Sequence, residues 1–255
     1  MITKLTQALL NLGIDVVTPT VLEVLPHDTK AFTQGLAFAQ GTLFESTGLK
    51  DSSSLRRLDP ATGKIDLVKK LLGHWGEGIG IQGEHIVQLT WQSNIAFVYD
   101  LVNFTKLDEW SFAGEGWGLA AIGDGYVMTN GSGELIFRNQ NFDIVKTVMA
   151  RRKGLPLRWL NDLEYADGHL FVQRMGDHYL YEIEPISGAV VRLVEVTELS
   201  RLAKPRGCEE VLNGVAYDML TETFFLTGKC WPLLFKVKIP RHNVHYHKAS
   251  LISWQ

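Results

Sequence analysis

The chain has 255 residues, of which 45% are apolar and 21% charged, with 24 glycines and a net charge of −3. That is long enough to bury a sizeable core, and the slightly acidic balance leaves no basic footprint for nucleic acid. No apolar run reaches the length of a membrane-spanning helix, and no charge block suits an anionic membrane surface. In chain order, residues 1–15 read as a leader, a short helix or a loose segment. Its apolar piece Ala8-Leu-Leu10 is broken by Asn11 and Asp15, too short for a signal-peptide core. Residues 16–25 are rich in β-branched residues and predict a strand, with Pro19 suiting a sheet edge.

Five similar units follow, each of short strands joined by turns. The first has strands at 35–38, 43–46, 54–58 and 64–72, with Gln40-Gly and Asp59-Pro-Ala-Thr-Gly63 as turns. The second has 78–81, 85–91, 95–100 and 107–112. The third has 118–121, 126–129, 134–138 and 144–149. The fourth has 162–165, 169–174, 179–183 and 190–194. A polar insert at 198–210, with a helical turn at 199–202, separates it from the fifth. That last unit has strands at 215–218, 223–227 and 232–239 and is one strand short. Residues 240–255 read as a tail carrying His242, His245 and His247, whose metal affinity would be weak.

One short motif opens every unit: Phe32-Thr-Gln-Gly-Leu36, Trp75-Gly-Glu-Gly-Ile79, Glu115-Gly-Trp-Gly-Leu119, Leu160-Asn-Asp-Leu163 and Leu212-Asn-Gly-Val215. The aliphatic residues that end them recur at intervals of 40 to 52 residues, the mark of a repeat architecture. A single all-β domain of five four-stranded antiparallel blades, a β-propeller, accommodates these units. The spare strand at 16–25 would complete the fifth blade and close the ring. An open solenoid would need capping repeats, and a β-sandwich leaves the repeated motif unexplained. In a propeller the motifs start the innermost strands. Gln34, Glu77, Trp117, Asn161 and Asn213, two positions before the anchors, then form a ring around the axis. The second strands add Trp91, Met175 and Lys229. One carboxylate among amides and indoles suits acid–base chemistry, and desolvation would push its pKa upward.

These motifs, together with Phe44-Glu-Ser-Thr-Gly48, Gln88-Leu-Thr-Trp91, Leu212-Asn-Gly-Val-Ala-Tyr-Asp218 and Thr227-Gly-Lys229, resemble the plant and bacterial glutaminyl cyclases (glutamine cyclotransferases) over residues 27 to about 238. The resemblance implies a five-bladed propeller that converts the N-terminal glutamine of peptides or proteins into pyroglutamate with loss of ammonia. It implies no metal and no cofactor. Glu77 would be the general acid/base, with Gln34, Asn161 and Lys229 as catalytic partners. Phe32, Trp75, Trp91, Trp117, Met175 and Asn213 would bind the substrate. The chain departs from the family at Gln173-Arg-Met175, where Met175 stands in place of a pocket tryptophan. It departs also at Asp162, at Asn130 in place of an aspartate, and at Trp75 in place of phenylalanine. Reduced activity or a shifted substrate range is expected from Met175. Two other classes remain open: a non-catalytic peptide-binding propeller, and a metal-dependent, lactonase-like hydrolase using Glu77, Asn161 and Asn213. Cys208 and Cys230 could pair or stay reduced. A monomer with no nucleic-acid or membrane partner is expected, and the compartment is left open.

Overall fold

The computed structural model describes Gly13, residues 15–207 and residues 209–241. The leader up to residue 12, Cys208 and the three tail histidines lie outside the described residues. Each repeat folds into one antiparallel sheet. Blade 1 comprises β3 (Thr33–Ala39), β4 (Thr42–Thr47), β5 (Ser54–Leu58) and β6 (Ile65–Lys70). Blade 2 comprises β7 (Gly76–Gln82), β8 (His85–Thr90), β9 (Ile95–Asp100) and β10 (Lys106–Ser111). Blade 3 holds β11 (Leu119–Ile122), β12 (Gly125–Met128), β13 (Glu134–Arg138) and β14 (Ile144–Met149). Blade 4 holds β17 (Leu160–Ala166), β18 (His169–Arg174), β19 (Tyr179–Ile183) and β20 (Val190–Glu195). The hairpins close on tight turns. Gln40-Gly41 and Asp167-Gly168 have positive φ at both central residues, the geometry that matches the twist of paired strands.

The fifth blade is completed as expected. Its own strands are β21 (Leu212–Asp218), β22 (Thr223–Gly228) and β23 (Leu233–Lys238). The N-terminal strand β2 (Thr20–Pro26) pairs antiparallel with β23, Thr20 opposite Lys238 and Pro26 opposite Leu233. The ring is thereby closed by a strand from the other end of the chain. One expectation is corrected. The predicted strand 16–25 is two strands, because Pro19 has no N–H for a ladder. The first, β1 (Asp15–Val17), runs parallel to β20 on the rim of blade 4. The chain also contains a hairpin that its sequence did not announce, β15 (Arg151–Arg152) with β16 (Leu155–Pro156), between blades 3 and 4. The insert before blade 5 forms α1 (Thr197–Ala203), whose Leu199 and Ala203 join the core between blades 4 and 5.

Both faces of most blades are covered, so the core is five layers, one between each pair of neighbours. Phe44, Leu55, Ile79 and Ile86 fill the space between blades 1 and 2. Val87, Leu89, Leu119 and Met128 fill that between blades 2 and 3. Leu36, Leu43, Ala216 and Phe225 seal blade 5 against blade 1. Truncating one such leucine costs about 2–5 kcal/mol.

At the axis the inner strands come so close that side chains do not fit. A Cβ on Gly35 would lie 2.8 Å from Gly78 Cα, and one on Gly78 would lie 2.6 Å from Gly118 Cα. A polar lock sits at the seam. Glu45, wholly buried, accepts hydrogen bonds from His27 Nε2 at 2.8 Å and Thr33 Oγ1 at 2.8 Å. Arg56 lies at 3.5 Å from the same carboxylate. His27 Nδ1 lies 2.7 Å from the Trp231 carbonyl of blade 5. Burial alone would lower the His27 pKa, but the Glu45 charge and hydrogen bond outweigh it, and the net shift is upward. Burial would raise Glu45, and His27 and Arg56 bring it below the usual range. Among the described residues no helix is long and apolar enough to cross a membrane.

Candidate active site

In four blades the pairing of the inner strand with its neighbour slips at the same place: between Thr33 and Gly35, Gly76 and Ile79, Leu160 and Leu163, and Leu212 and Val215. In blade 3 the same place is held by Trp117 N–H bonding to Thr129 O and Thr129 N–H to Gly118 O, both at 3.0 Å. A bulge re-aims the side chain it carries. Gln34, Glu77, Trp117, Asn161 and Asn213 occupy these five positions, on one end of the molecule.

Four of them line a cavity of about 590 Å³, which also contains Phe32, Trp75, Trp91, Met175 and Lys229. Nine of the ten residues expected from sequence are therefore together. Asn213 is the exception. It is fully buried, and its Nδ2 is used by Thr33 O at 3.0 Å and Gln34 Oε1 at 3.2 Å. Its placement is behind the wall, holding Gln34, and not in contact with the cavity. Gln34 Nε2 donates in turn to Glu77 Oε1 at 2.7 Å. The chain Asn213–Gln34–Glu77 fixes the carboxylate at the cavity floor. Asn213 does not line the cavity that Glu77 and Asn161 share, and the side-chain oxygens of Asn161 and Asn213 are buried without a hydrogen-bond partner among the described residues. Among the described residues no three His, Cys, Asp or Glu side chains are arranged to hold a metal.

Two further rings complete the site: Phe32 and Trp75 of one and Trp91, Met175 and Lys229 of the other were named from the sequence, while Glu115, Trp159 and Val211 were given no role there. Four positions before each anchor stand Phe32, Trp75, Glu115, Trp159 and Val211. Four of these line the cavity, and Glu115 supports it from behind. The signal was the same repeat, two residues earlier, one full period of a strand. At the exits of the second strands stand Gly48, Trp91, Met175 and Lys229. Their N–H groups bond to the carbonyls of Phe32, Trp75, Trp159 and Val211, at 2.7, 3.0, 2.9 and 2.9 Å. Gly176 and Glu209 complete the lining.

The walls are aromatic. Phe32 meets Trp75 edge-on at 5.9 Å, Trp75 meets Trp91 at 5.4 Å, and Trp117 meets Trp159 at 6.2 Å. Trp75 packs over Gly48, where a Cβ would lie 2.5 Å from its Nε1. Glu115 clamps two of the rings. Its carboxylate accepts the indole N–H of Trp91 at 2.8 Å and of Trp117 at 3.0 Å, and Gln92 Nε2 at 2.9 Å. Partial burial raises the Glu115 pKa, but these three donors bring it below the usual range.

The charges at the floor are under tension. Burial pushes the Glu77 pKa well above the carboxylate range; Lys229 opposes this, while Glu115 and Asp162 add to it. Trp75 favours the charged form, although its indole N–H makes no hydrogen bond within the described residues. Burial lowers the Lys229 pKa, and Glu77 opposes that shift. The Lys229 Nζ sits 4.7 Å over the Phe32 ring. Beneath the ring, Asp162 Oδ2 accepts the amides of Val215 at 2.9 Å and Leu36 at 3.2 Å, which ties three blades together. Burial nevertheless pushes its pKa up to about 8.

Such a site can bind a small apolar chain with a polar end, and it can hold or release one proton at Glu77. A family profile described as Glutamine cyclotransferase matches residues 2–239 of the chain. The chain is 35% identical over 225 residues to a glutaminyl-peptide cyclotransferase of Arabidopsis thaliana, covering 86% of this chain and 70% of that one. Its fold is similar to that of Myxococcus xanthus glutaminyl cyclase, with a TM-score of 0.84, 32% identity, and coverage of 88% and 97% of the two chains. At 9% identity and a TM-score of 0.54, the WD40 repeats of RRP9 share the propeller architecture alone.

Proposed function

The chain belongs to the glutamine cyclotransferase family, and on that premise we propose that it cyclises the N-terminal glutamine of peptides to pyroglutamate with release of ammonia. Glu77 moves the protons, and no metal ion takes part. The observation that carries this reading is one buried carboxylate, fixed by Gln34 and facing an aromatic-walled cavity beside Lys229.

The substrate must fold so that its α-amine reaches the carboxamide carbon of its own side chain. The aromatic walls would grip the aliphatic part and favour that near-attack geometry. A free α-amine has a pKa of about 7.7–8.0. A protonated Glu77 beside a neutral amine holds as many protons as a carboxylate beside an ammonium. The desolvated floor favours the neutral pair, and the neutral amine is the nucleophile.

Attack forms the bond from the α-nitrogen to carbon, leaving that nitrogen positive and the carbonyl oxygen negative. Glu77 gives its proton to the amide nitrogen, the old carbon–nitrogen bond breaks, and ammonia leaves. The carboxylate then takes the proton from the ring nitrogen and ends as it began. This is general acid–base catalysis by one group. Lys229, Gln34 and Asn161 are the donors for the negative oxygen, each such donor being worth ~2.7–4 kcal/mol.

The test is to incubate chelator-treated protein with a short Gln-initiated peptide and follow its mass. Loss of the mass of ammonia at an undiminished rate is the expected result. Activity that disappears with the chelator and returns with a divalent cation would contradict the metal-free reading.

A further inference from the structure

The cavity continues beyond its mouth. A second groove of about 550 Å³ shares Trp117 and Trp159 with it and runs outward between blades 3 and 4. Its bed is bare backbone at Gly131 and Gly133. A Cβ at Gly131 would lie 2.6 Å from the Trp117 ring, and one at Gly133 would lie 2.2 Å from Leu157 O. Met149, Pro156 and Leu157 give it an apolar side, and Asn130 and Arg158 a polar one. The β15–β16 hairpin, which ends at Pro156, forms its rim.

Three observations point to its occupant. The first is continuity: Trp117 and Trp159 line both the cavity that holds Glu77 and the groove, so a peptide whose first residue is held at Glu77 can pass directly into it. The second is size. About 300–1,000 Å³ encloses a drug-sized ligand, which is the bulk of two or three residues. The third is charge. The near end carries the Glu115 carboxylate, which keeps its negative charge while its two oxygens accept N–H donors from Trp91, Trp117 and Gln92. The exposed Arg158 guanidinium has no hydrogen-bond or salt-bridge partner among the described residues. Its own carbonyl is taken by Arg174 Nε at 3.0 Å. Arg151, Arg152 and Lys153 lie on the adjoining hairpin, outside the residues that line the groove. Of the two charged side chains that line the groove, Arg158 is the one with no partner among the described residues, and it forms no salt bridge with Glu115.

We propose that this groove holds the residues following the N-terminal glutamine, and that Arg158 selects substrates with an acidic side chain at the second or third position. This rests on the cyclase reading. It makes acidic peptides the substrate class of the site.

The experiment uses Gln-Glu-Ala, Gln-Ala-Ala and Gln-Lys-Ala amides with the wild-type protein, Arg158→Ala and Arg158→Glu. Selectivity is read as the ratio of kcat/KM for the Glu and Lys peptides, so a general loss of activity cancels. The three pyroglutamyl product peptides are titrated in parallel by tryptophan fluorescence, which needs no turnover. The wild type should favour the Glu peptide by roughly five- to tenfold, the scale of an exposed charge pair made and reversed. The ratio should fall towards one in Arg158→Ala and invert in Arg158→Glu. A ratio near one in the wild type, or one unaltered by both variants, overturns the proposal. If no peptide is cyclised but the product peptides still bind in the order Glu, Ala, Lys, the cyclase reading fails and the groove assignment stands. Equal binding of all three overturns the groove assignment.

Discussion

At the scale of single residues, the proposed chemistry comes from breaking a fivefold pattern. The bulge position holds an amide in blades 1, 4 and 5, an indole in blade 3 and a carboxylate in blade 2 alone. Burial moves both Glu77 and Lys229 towards neutrality, and each opposes the shift of the other. The sign of one pH effect follows. Lys229 holds the Glu77 pKa down, so Lys229→Met lets it rise further. In the proposed mechanism the protonated carboxyl is the form that meets the neutral amine, and it is lost as pH rises through that pKa. The alkaline limb of the kcat/KM profile should therefore move to higher pH in Lys229→Met, whatever happens to its height; a limb that stays put or moves down would count against the coupling. Glu115 acts one step away, through Trp91 and Trp117. Hydrogen bonds to a charged group are worth about 1.5–3 kcal/mol, so Glu115→Ala should lower kcat/KM by at least about tenfold, chiefly through KM. The near-UV circular dichroism of the indoles should change with it, and unaltered KM and dichroism would show that the rings need no clamp.

At the scale of the element, the bulge explains what could and could not be read from the chain. The residues two before each anchor were legible because the bulge recurs with its glycines and aliphatic anchor. The residues four before it were legible in part: Phe32 and Trp75 came with the family resemblance, but Trp159 did not, because Glu115 and Val211 interrupt the aromatic series. Asn213 matched the pattern and was still misplaced. Only the orientation of Gln34 decides that its amide faces a neighbour and not the cavity. Pro19 was recognised as unfit for a central strand, yet its effect was larger, sending β1 and β2 to different blades. The hairpin 151–156 has strands of two residues, too short for any periodicity. The seam lock yields a prediction at this scale. Glu45 is stabilised above its unfolded pKa of about 4.5, and His27 below about 6.5. The pair therefore contributes most between those values, and the His27 share is lost as pH rises through its raised folded pKa. His27→Ala leaves Glu45 buried without its main partner and should cost about 3–5 kcal/mol. Denaturant unfolding at pH 6 and pH 8 checks both points; a wild-type stability that does not decline towards pH 8 would contradict the assignment.

At the scale of the whole molecule, closure is the structural event on which the site depends. The ring of five side chains has a fixed radius only while the five inner strands stay in contact, and the last blade borrows β2 to complete its sheet. The two N-terminal strands differ in what they support. Removing residues 1–17 takes only β1 from the described structure, an edge strand on an already complete blade. Removing residues 1–26 strips blade 5 of its outer strand. The shorter truncation should unfold cooperatively with a Tm within a few degrees of the full chain. The longer one should lose cooperativity, or lower the Tm by about 10 °C or more, as a deficit of several kcal/mol implies for a chain of this size. Equal transitions would show that the seam is not closed through β2.

The central claim is that one carboxylate carries the proton chemistry, and Glu77→Gln tests it most directly. The amide keeps the volume and the contact with Gln34 but cannot shuttle a proton. Ammonia release from a Gln-initiated peptide should fall by at least about 100-fold, the lower end of what general acid–base catalysis contributes. Binding of the product peptide should remain. Ammonia release at the wild-type rate from Glu77→Gln would contradict the account.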